Sequence, residues 1–181
     1  MSRPTERLIA LEGVNGRALA SAAREIVSLN RQRRATVSHW DASGIFGEVS
    51  VADVGAGEPS ARTLLLLYAA DLAFRLRWEI RPALAAGRLV VAAPYTDTAI
   101  AFGRARGIDV DWLNDMFGFA PPAASVRLID TAAARVLAER KGFVEFACQQ
   151  VLGVHAGTAR TRFIKQTGVH LKALASRSTK K

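Results

Sequence analysis

The sequence predicts an α/β fold: a three-layer arrangement in which a parallel sheet of about five strands is flanked by helices. Two observations predict it. Short apolar segments alternate with longer segments of helical period, and the connections between them are short. The strand-like segments are also apolar along their length, as in "RLVVAA" (88–93), the pattern of strands buried on both faces.

The elements follow in order. "RLIALEG" (7–13) reads as a buried strand running into a glycine turn. "RALASAAREIVSLNRQ" (17–32) is helical, with Ala18, Ala22, Ile26 and Leu29 on one face and charges opposite. "ATVSHW" (35–40) is a second strand, and the glycine-rich stretch 41–60 reads as loop. A long helical stretch covers 61–87, with Ser60 as its N-cap, Gly87 as its stop and Pro82 expected to kink or divide it. A third strand lies at 88–93, helices at 96–107 and 109–118, and a proline-led fourth strand within 121–130. Residues 131–153 are mostly helical with a break near Gly142, and 169–177 forms a terminal helix. A fifth strand has two candidate positions, 151–154 and 162–164.

Composition narrows the class. The 181 residues, half of them hydrophobic, suit a single domain spanning 1–181 with a substantial core. The longest apolar run, Leu64 to Ala70, ends at Asp71 and is too short to span a membrane. No apolar signal core is visible in "MSRPTERL". The lone cysteine, Cys148, rules out an internal disulfide and fits a reducing compartment, so a cytoplasmic location is expected. His39, His155 and His170 match no metal spacing. The net charge of +9 is unevenly placed. No Asp or Glu follows Glu145, whereas the basic C-terminal region (155–181) carries Arg160, Arg162, Lys165, Lys172, Arg177, Lys180 and Lys181. Such a field attracts anions, and weak nucleic-acid binding is one expectation from it; a solvated surface is the other.

The stretch "LEGVNGRALAS" (11–21) carries the frame of a phosphate-binding loop. The pattern G-x-x-x-x-G-K-[ST], counted from Gly13, calls for Gly, Lys and Ser/Thr at 18, 19 and 20. The sequence has Ala18, Leu19 and Ala20. The strand, the glycine turn and the helix start are present, and the lysine and the hydroxyl are not.

Three segments, in one register over residues 7–130, resemble the thymidylate kinase family of P-loop nucleoside monophosphate kinases. They are "LIALEGVNG", the block "LLLLYAADLAFRLRWEIRPALAAGRLVVAAPYTDTAIAFGRARGID", and "DWLNDMFGFAPPAASVRLID". The resemblance implies a five-stranded P-loop NTPase sheet, ATP and magnesium at the phosphate loop, a thymidine monophosphate acceptor site between the third and fourth helices, and a homodimer. Carried over position by position, it also shows departures. Leu19 and Ala20 stand for the family's lysine and hydroxyl, and Asn15 for an aspartate. Ala93 and Pro94 replace the aspartate and arginine of a D-R-Y motif, leaving Tyr95. Leu72 replaces a base-reading arginine after the retained Asp71. Asp41 and Ser43 are loosely equivalent to a glutamate-proline segment, and Phe102 replaces a tyrosine. Tyr68 is either the aromatic that stacks on the base or a core tyrosine. The lid reduces to Arg135, Arg140 and Lys141.

These substitutions each delete a polar or charged group while the apolar frame reads normally. The resulting expectation is a thymidylate-kinase-like pseudoenzyme acting as an interaction or regulatory module, with no catalytic residues and no cofactor. Its vestigial phosphate site comprises Gly13, Asn15, Gly16, Arg17 and Ser21, offering at most a weak anion nest. Its vestigial nucleotide site comprises Tyr68, Asp71, Tyr95 and Phe102. The alternatives are an active kinase using displaced groups such as Arg17, Ser21 and Asp97 with ATP and Mg2+, and a nucleic-acid-binding module. The unbroken apolar run in the 64–86 helix needs cover on its outer side, so a homodimer through that helix is expected, with an unknown protein partner also open.

Overall fold

The computed structural model describes residues 7–50, 59–129, 142–152 and 157–178. Strand β1 (Leu8–Glu12) leads through Gly13 into helix α1 (Gly16–Leu29). A 3-10 turn over Arg31–Arg33 then returns the chain to β2 (Thr36–His39). Helices α2 (Ile45–Ser50) and α3 (Ala61–Arg75) follow, then α4 (Arg81–Ala85) and β3 (Val90–Ala93). Helices α5 (Asp97–Ala105) and α6 (Val110–Phe117) lead to β4 (Ser125–Leu128). The remaining described elements are α7 (Phe143–Leu152) and α8 (Gly157–Ser178).

The sheet is parallel throughout, in the order β2-β3-β1-β4. Side chains alternate across it. Leu8, Ala10, Val90 and Ala92 join the larger core, which holds α3 and α5, while Leu11, Val91 and Ala93 join a smaller one under α1 with Leu19, Ala23 and Ile26. This two-sided burial makes the three layers and explains why the central strands β1 and β3 are apolar up to their carboxyl ends.

Several expectations are met and several corrected. Four strands, not five, are found among the described residues. The two candidates for a fifth fall in helices where they are described: 151–152 ends α7 and 162–164 lies inside α8. Residues 153–154 lie outside the described residues, as do Arg135, Arg140, Lys141 and His155. The terminal helix begins at Gly157, well before 169, because "GTARTRFIKQTGVH" contains no proline to stop it. The 41–60 stretch includes a short helix, α2.

Pro82 divides the long helix, as expected. Proline cannot donate to the carbonyl four residues back. The chain widens over Leu76–Ile80 into a π turn, in which Arg81 N–H donates to the Leu76 carbonyl five residues away. At the other end the Ser60 hydroxyl accepts from Thr63 N–H, the N-cap that the sequence predicts.

One charged side chain ties these layers together. Arg75, near the end of α3, has no exposed surface. Its Nε donates to Ser38 Oγ (3.0 Å), and its Nη2 donates to the carbonyls of Ser38 (2.9 Å) on β2 and Pro94 (2.9 Å) after β3. Nη1 lies 4.0 Å from Asp71 Oδ2, one helical turn earlier. Removing the guanidinium strips two carbonyls of their donor and leaves the buried Asp71 carboxylate without its counter-charge. We expect Arg75→Met to lose about 3–5 kcal/mol of stability, measured as a drop in the midpoint of urea unfolding at unchanged slope. A loss under about 1 kcal/mol would show that the guanidinium is not what holds these ends together.

Candidate functional site

β1 and β3 lie side by side, but their connections leave in opposite directions: β1 leads through α1 to β2, and β3 through α5 and α6 to β4 on the far edge. Ligands of open parallel sheets bind outside the carboxyl ends of the strands at such a switch point. Here Glu12 and Gly13 stand on one side and Pro94 to Thr98 on the other. A cavity of about 280 Å³ opens beside them, with Glu12, Tyr95, Asp97 and Asn114 in its wall.

Glu12 sits at the centre of this crevice with only 1% exposure. Its carboxylate accepts from the backbone N–H of Tyr95 (3.4 Å), Asp97 (3.1 Å) and Thr98 (3.0 Å), and from the Thr98 hydroxyl. The same Thr98 Oγ1 accepts from Gly13 N–H (3.0 Å), so the loop's first amide is wired through threonine to Glu12. Burial, and after it the neighbouring Asp97 carboxylate, push Glu12 up to about 7. Burial also raises Asp97. Two acids in one apolar setting cannot both ionise cheaply.

The phosphate-loop segment is short, and its amides at Gly13, Gly16, Ala18 and Leu19 have acceptors within the chain. Asn15 is the N-cap of α1, and its side-chain oxygen accepts from Ala18 N–H (3.0 Å). Its carbonyl accepts from Leu19 N–H (3.1 Å). Gly16 N–H donates to Glu145 Oε2 (3.1 Å), a residue of α7. Gly13 stays glycine for a packing reason: a Cβ there would lie 3.0 Å from the Ile129 carbonyl and 3.3 Å from Leu19 Cδ2. Leu19 is 3% exposed and packs with Leu11, Ala23, Ile26, Val91 and Ala93. Positions 19, 23 and 26 form the buried stripe of α1, so residue 19 points into the core. Arg17 is exposed, while Ala20 and Ser21 are half-buried. A triphosphate with magnesium does not fit this donor set, because Leu19 offers no charge and Ala20 no oxygen.

The remaining candidates fall into one neighbourhood. Tyr68 is fully buried and donates through its hydroxyl to the Tyr95 carbonyl (2.6 Å), and burial pushes its pKa above the ordinary tyrosine value. Tyr95 donates to the Pro121 carbonyl (2.7 Å), and burial raises it likewise. Asp71 accepts from Asp41 N–H, Ser43 N–H and the Ser43 hydroxyl at 2.8–3.0 Å, so the loop after β2 is strapped onto α3. Leu72, Ala93 and Phe102 are buried, and Pro94 contributes its carbonyl to Arg75. Phe143, from α7, packs against Tyr68 with ring centroids 4.4 Å apart and planes tilted by 52°, and meets Phe102, Phe46 and Trp40 in one aromatic cluster. Sequence reasoning named neither Glu12, Thr98 and Arg75 nor Phe143 and Glu145 as site residues. A glutamate ending an otherwise apolar strand and an arginine on the buried face of a helix were the available signals for Glu12 and Arg75. No local pattern marks Phe143 and Glu145, whose partners lie far away in sequence. Among the described residues no three His, Cys, Asp or Glu side chains cluster as metal ligands would, and no helix is long and apolar enough to cross a membrane.

The parallel sheet, the glycine turn into α1 and the crevice at the switch point define a P-loop NTPase-type α/β fold. Comparison with known proteins makes this more particular. The chain superposes on the crystal structure of thymidylate kinase from Ehrlichia chaffeensis with a TM-score of 0.67, covering 95% of this chain and 87% of that one at 13% identity. In sequence it is 30% identical over 141 residues to the thymidylate kinase of Xanthomonas campestris pv. campestris, covering 75% of this chain and 62% of that protein. It is 40% identical over 65 residues to a probable thymidylate kinase of Thermococcus kodakarensis, covering 36% and 32%. The chain thus spans less than two thirds of the curated relatives it matches. No family model matches the sequence. The protein is thymidylate-kinase-like in fold and in sequence.

The buried Glu12 makes stability pH-dependent. Its folded-state value lies above its ordinary one of 4.5, so its contribution is full below pH 4.5 and is lost as pH rises through about 7. The loss amounts to a few kcal/mol, on the order of 1.4 per unit of difference. Thermal unfolding between pH 5 and 8 should show this decline, and Glu12→Gln should flatten it whatever its own level. An equal slope in both proteins would rule Glu12 out as the cause.

Proposed function

We propose that this chain is a degenerate member of the thymidylate kinase family: a folded, non-catalytic module that works by interaction or regulation. The observation that carries this reading is Leu19. It stands at the position of the P-loop lysine, and its side chain belongs to the apolar cluster beneath α1. Ala20, Ala93 and Pro94 support it, since none can hold a metal, organise a phosphoryl acceptor or neutralise charge. Phosphoryl transfer needs those positioned charges, and losing one alone costs about 100–1,000-fold in rate. The active-kinase reading draws on the relatives, which carry the name thymidylate kinase. A coupled assay with thymidine monophosphate, ATP and magnesium separates the two. We expect no turnover above background, whereas a rate of about 1 per second or more would establish an enzyme. Leu19→Lys should not restore activity. It should lower stability instead, because it introduces an ammonium into an apolar cluster.

The reading includes a homodimer through α3. Leu64, Leu65, Tyr68 and Leu72 face inward, but Leu66 (54% exposed), Phe74 (39%) and Trp78 (61%) lie open along the other side. An outward apolar face of this kind is covered most simply by its own copy across a two-fold axis. Light scattering at micromolar concentration should give twice the 19.5 kDa chain mass. Leu66→Glu should return it to the monomer or make the protein insoluble. A monomeric wild type refutes the dimer while leaving the non-catalytic reading standing.

A further inference from the structure

The two edges of the sheet differ. Every residue of β2 is at least half-buried, whereas Ser125, Val126 and Arg127 of β4 are exposed and only Leu128 is half-buried. Ile129 N–H donates to the Glu12 carbonyl (2.8 Å), and Arg127 stands opposite Leu11 in the register. In a parallel ladder alternate residues turn their main-chain groups to the same neighbour. Ser125, Arg127 and Ile129 therefore face β1, and Val126 and Leu128 turn their N–H and C=O groups to the open side. Ala124 N–H, which donates to the Leu8 carbonyl (2.8 Å), is one place out of step where the strand begins. Among the described residues these outward groups have no hydrogen-bond partner.

The surroundings of this edge carry one sign of charge. Arg127 shares the α1 face of the sheet with Leu11. On the opposite side a hollow of about 390 Å³ lies between the end of β4 and α8, with Leu128 and Val169 in its wall beside Lys165 and Lys172. Neither β4 nor α8 contains Asp or Glu. We propose that the open edge of β4 takes an extended acidic segment of a partner protein, which joins the sheet as a further strand. Its main chain pairs with Val126 and Leu128. Its side chains alternate between the faces, carboxylates toward Arg127 and apolar groups toward the hollow under α8. Main-chain pairing supplies affinity and the alternate side chains supply selectivity. A second copy of this chain fits less well, because its own β4 and α8 bring positive charge against positive charge. Nucleic acid matches the charge but has no strand to offer the outward N–H and C=O groups. The proposal goes beyond the non-catalytic reading and does not need it. Turnover in the kinase assay would leave it standing, and the α3 face of the dimer uses other residues.

The test is titration of the full chain with a short end-capped peptide alternating valine and glutamate, read by calorimetry and by hydrogen exchange. In the free protein the Val126 and Leu128 amides should exchange fast, while the Arg127 amide, bonded to β1, is protected. The peptide should protect Val126 and Leu128. Val126→Pro removes an outward N–H, a change that an edge strand tolerates, and should weaken binding at least about tenfold. Arg127→Glu should weaken it likewise. Should Val126→Pro not fold, a peptide methylated on its main-chain nitrogens decides with the wild type: its charge is unchanged, and it should bind at least about tenfold more weakly. Protection of Val126 and Leu128 in the free protein, equal binding of the methylated peptide, or no binding by wild type up to about 1 mM would overturn the proposal. Tighter binding of a uridine oligonucleotide, unaffected by Val126→Pro, would overturn it in favour of nucleic acid. Self-association abolished by Val126→Pro would give the edge to a second copy instead.

Discussion

A guanidinium with no exposed surface sets the geometry on which everything at the crevice depends. Arg75 reaches from α3 to Ser38 on β2 and to Pro94 after β3, so one side chain fixes the spacing between a helix and the ends of two strands. Burying a charge is costly unless hydrogen bonds and an opposite charge compensate. Here two main-chain carbonyls, a hydroxyl and the nearby Asp71 share that task. Asp71 in turn straps Asp41 and Ser43 onto the same helix. Ser38 Oγ donates in turn to Glu79 Oε2 at 2.6 Å, extending the network into the π turn. The carboxyl ends of β2 and β3 are thus held by polar bonds inside an apolar shell. That arrangement is directional, and packing alone is not.

The same logic explains why proline can stand at position 94, where the resemblance would place an arginine. Only the Pro94 carbonyl takes part in the network, and proline keeps a carbonyl while giving up its N–H. The frame therefore tolerates loss of the side chain, but it would not tolerate loss of Arg75. Ala93 is a parallel case. As a buried residue at the end of β3 it contributes apolar volume beside Val91 and Leu19, which suits a methyl and would penalise an unpaired carboxylate.

Much of the fold was legible in the sequence because its signals are local. Strands apolar along their length, helical stripes and the Ser60 cap sit within a few residues of their causes, and the four strands and the Pro82 division follow from them. The fifth strand failed for the same reason. The segments 151–154 and 162–164 are short and apolar, and short apolar runs do not distinguish a strand from the buried side of a helix. At the site, the sequence marked which groups are absent but could not show what occupies their place. Leu19 read as a missing lysine, and only the packing shows it as a core residue between Ile26 and Val91. Glu12 read as the end of a strand, and its role emerges from Thr98, 86 residues away. Phe143 and Glu145 carry no local signature, since their meaning lies in Tyr68 and Gly16.

A phosphate loop without its lysine still has amides that need acceptors. An unpaired buried N–H costs about 1–3 kcal/mol, so in the absence of an anion such a loop needs partners within its own chain. Each partner here is a different kind of group: the Thr98 hydroxyl for Gly13, the Asn15 side chain for Ala18 and the Glu145 carboxylate for Gly16. The first two are short-range or buried within the crevice wall, and would serve any version of the fold. The third is a charge delivered from another helix, and it lands at the helix amino end, where a negative charge gains most. On the proposed non-catalytic reading, a leucine at position 19 and an internal acceptor for Gly16 go together by hydrogen-bond accounting. An amide at a helix amino end makes a carboxylate on α7 favourable there, and the Glu145 carboxylate satisfies it.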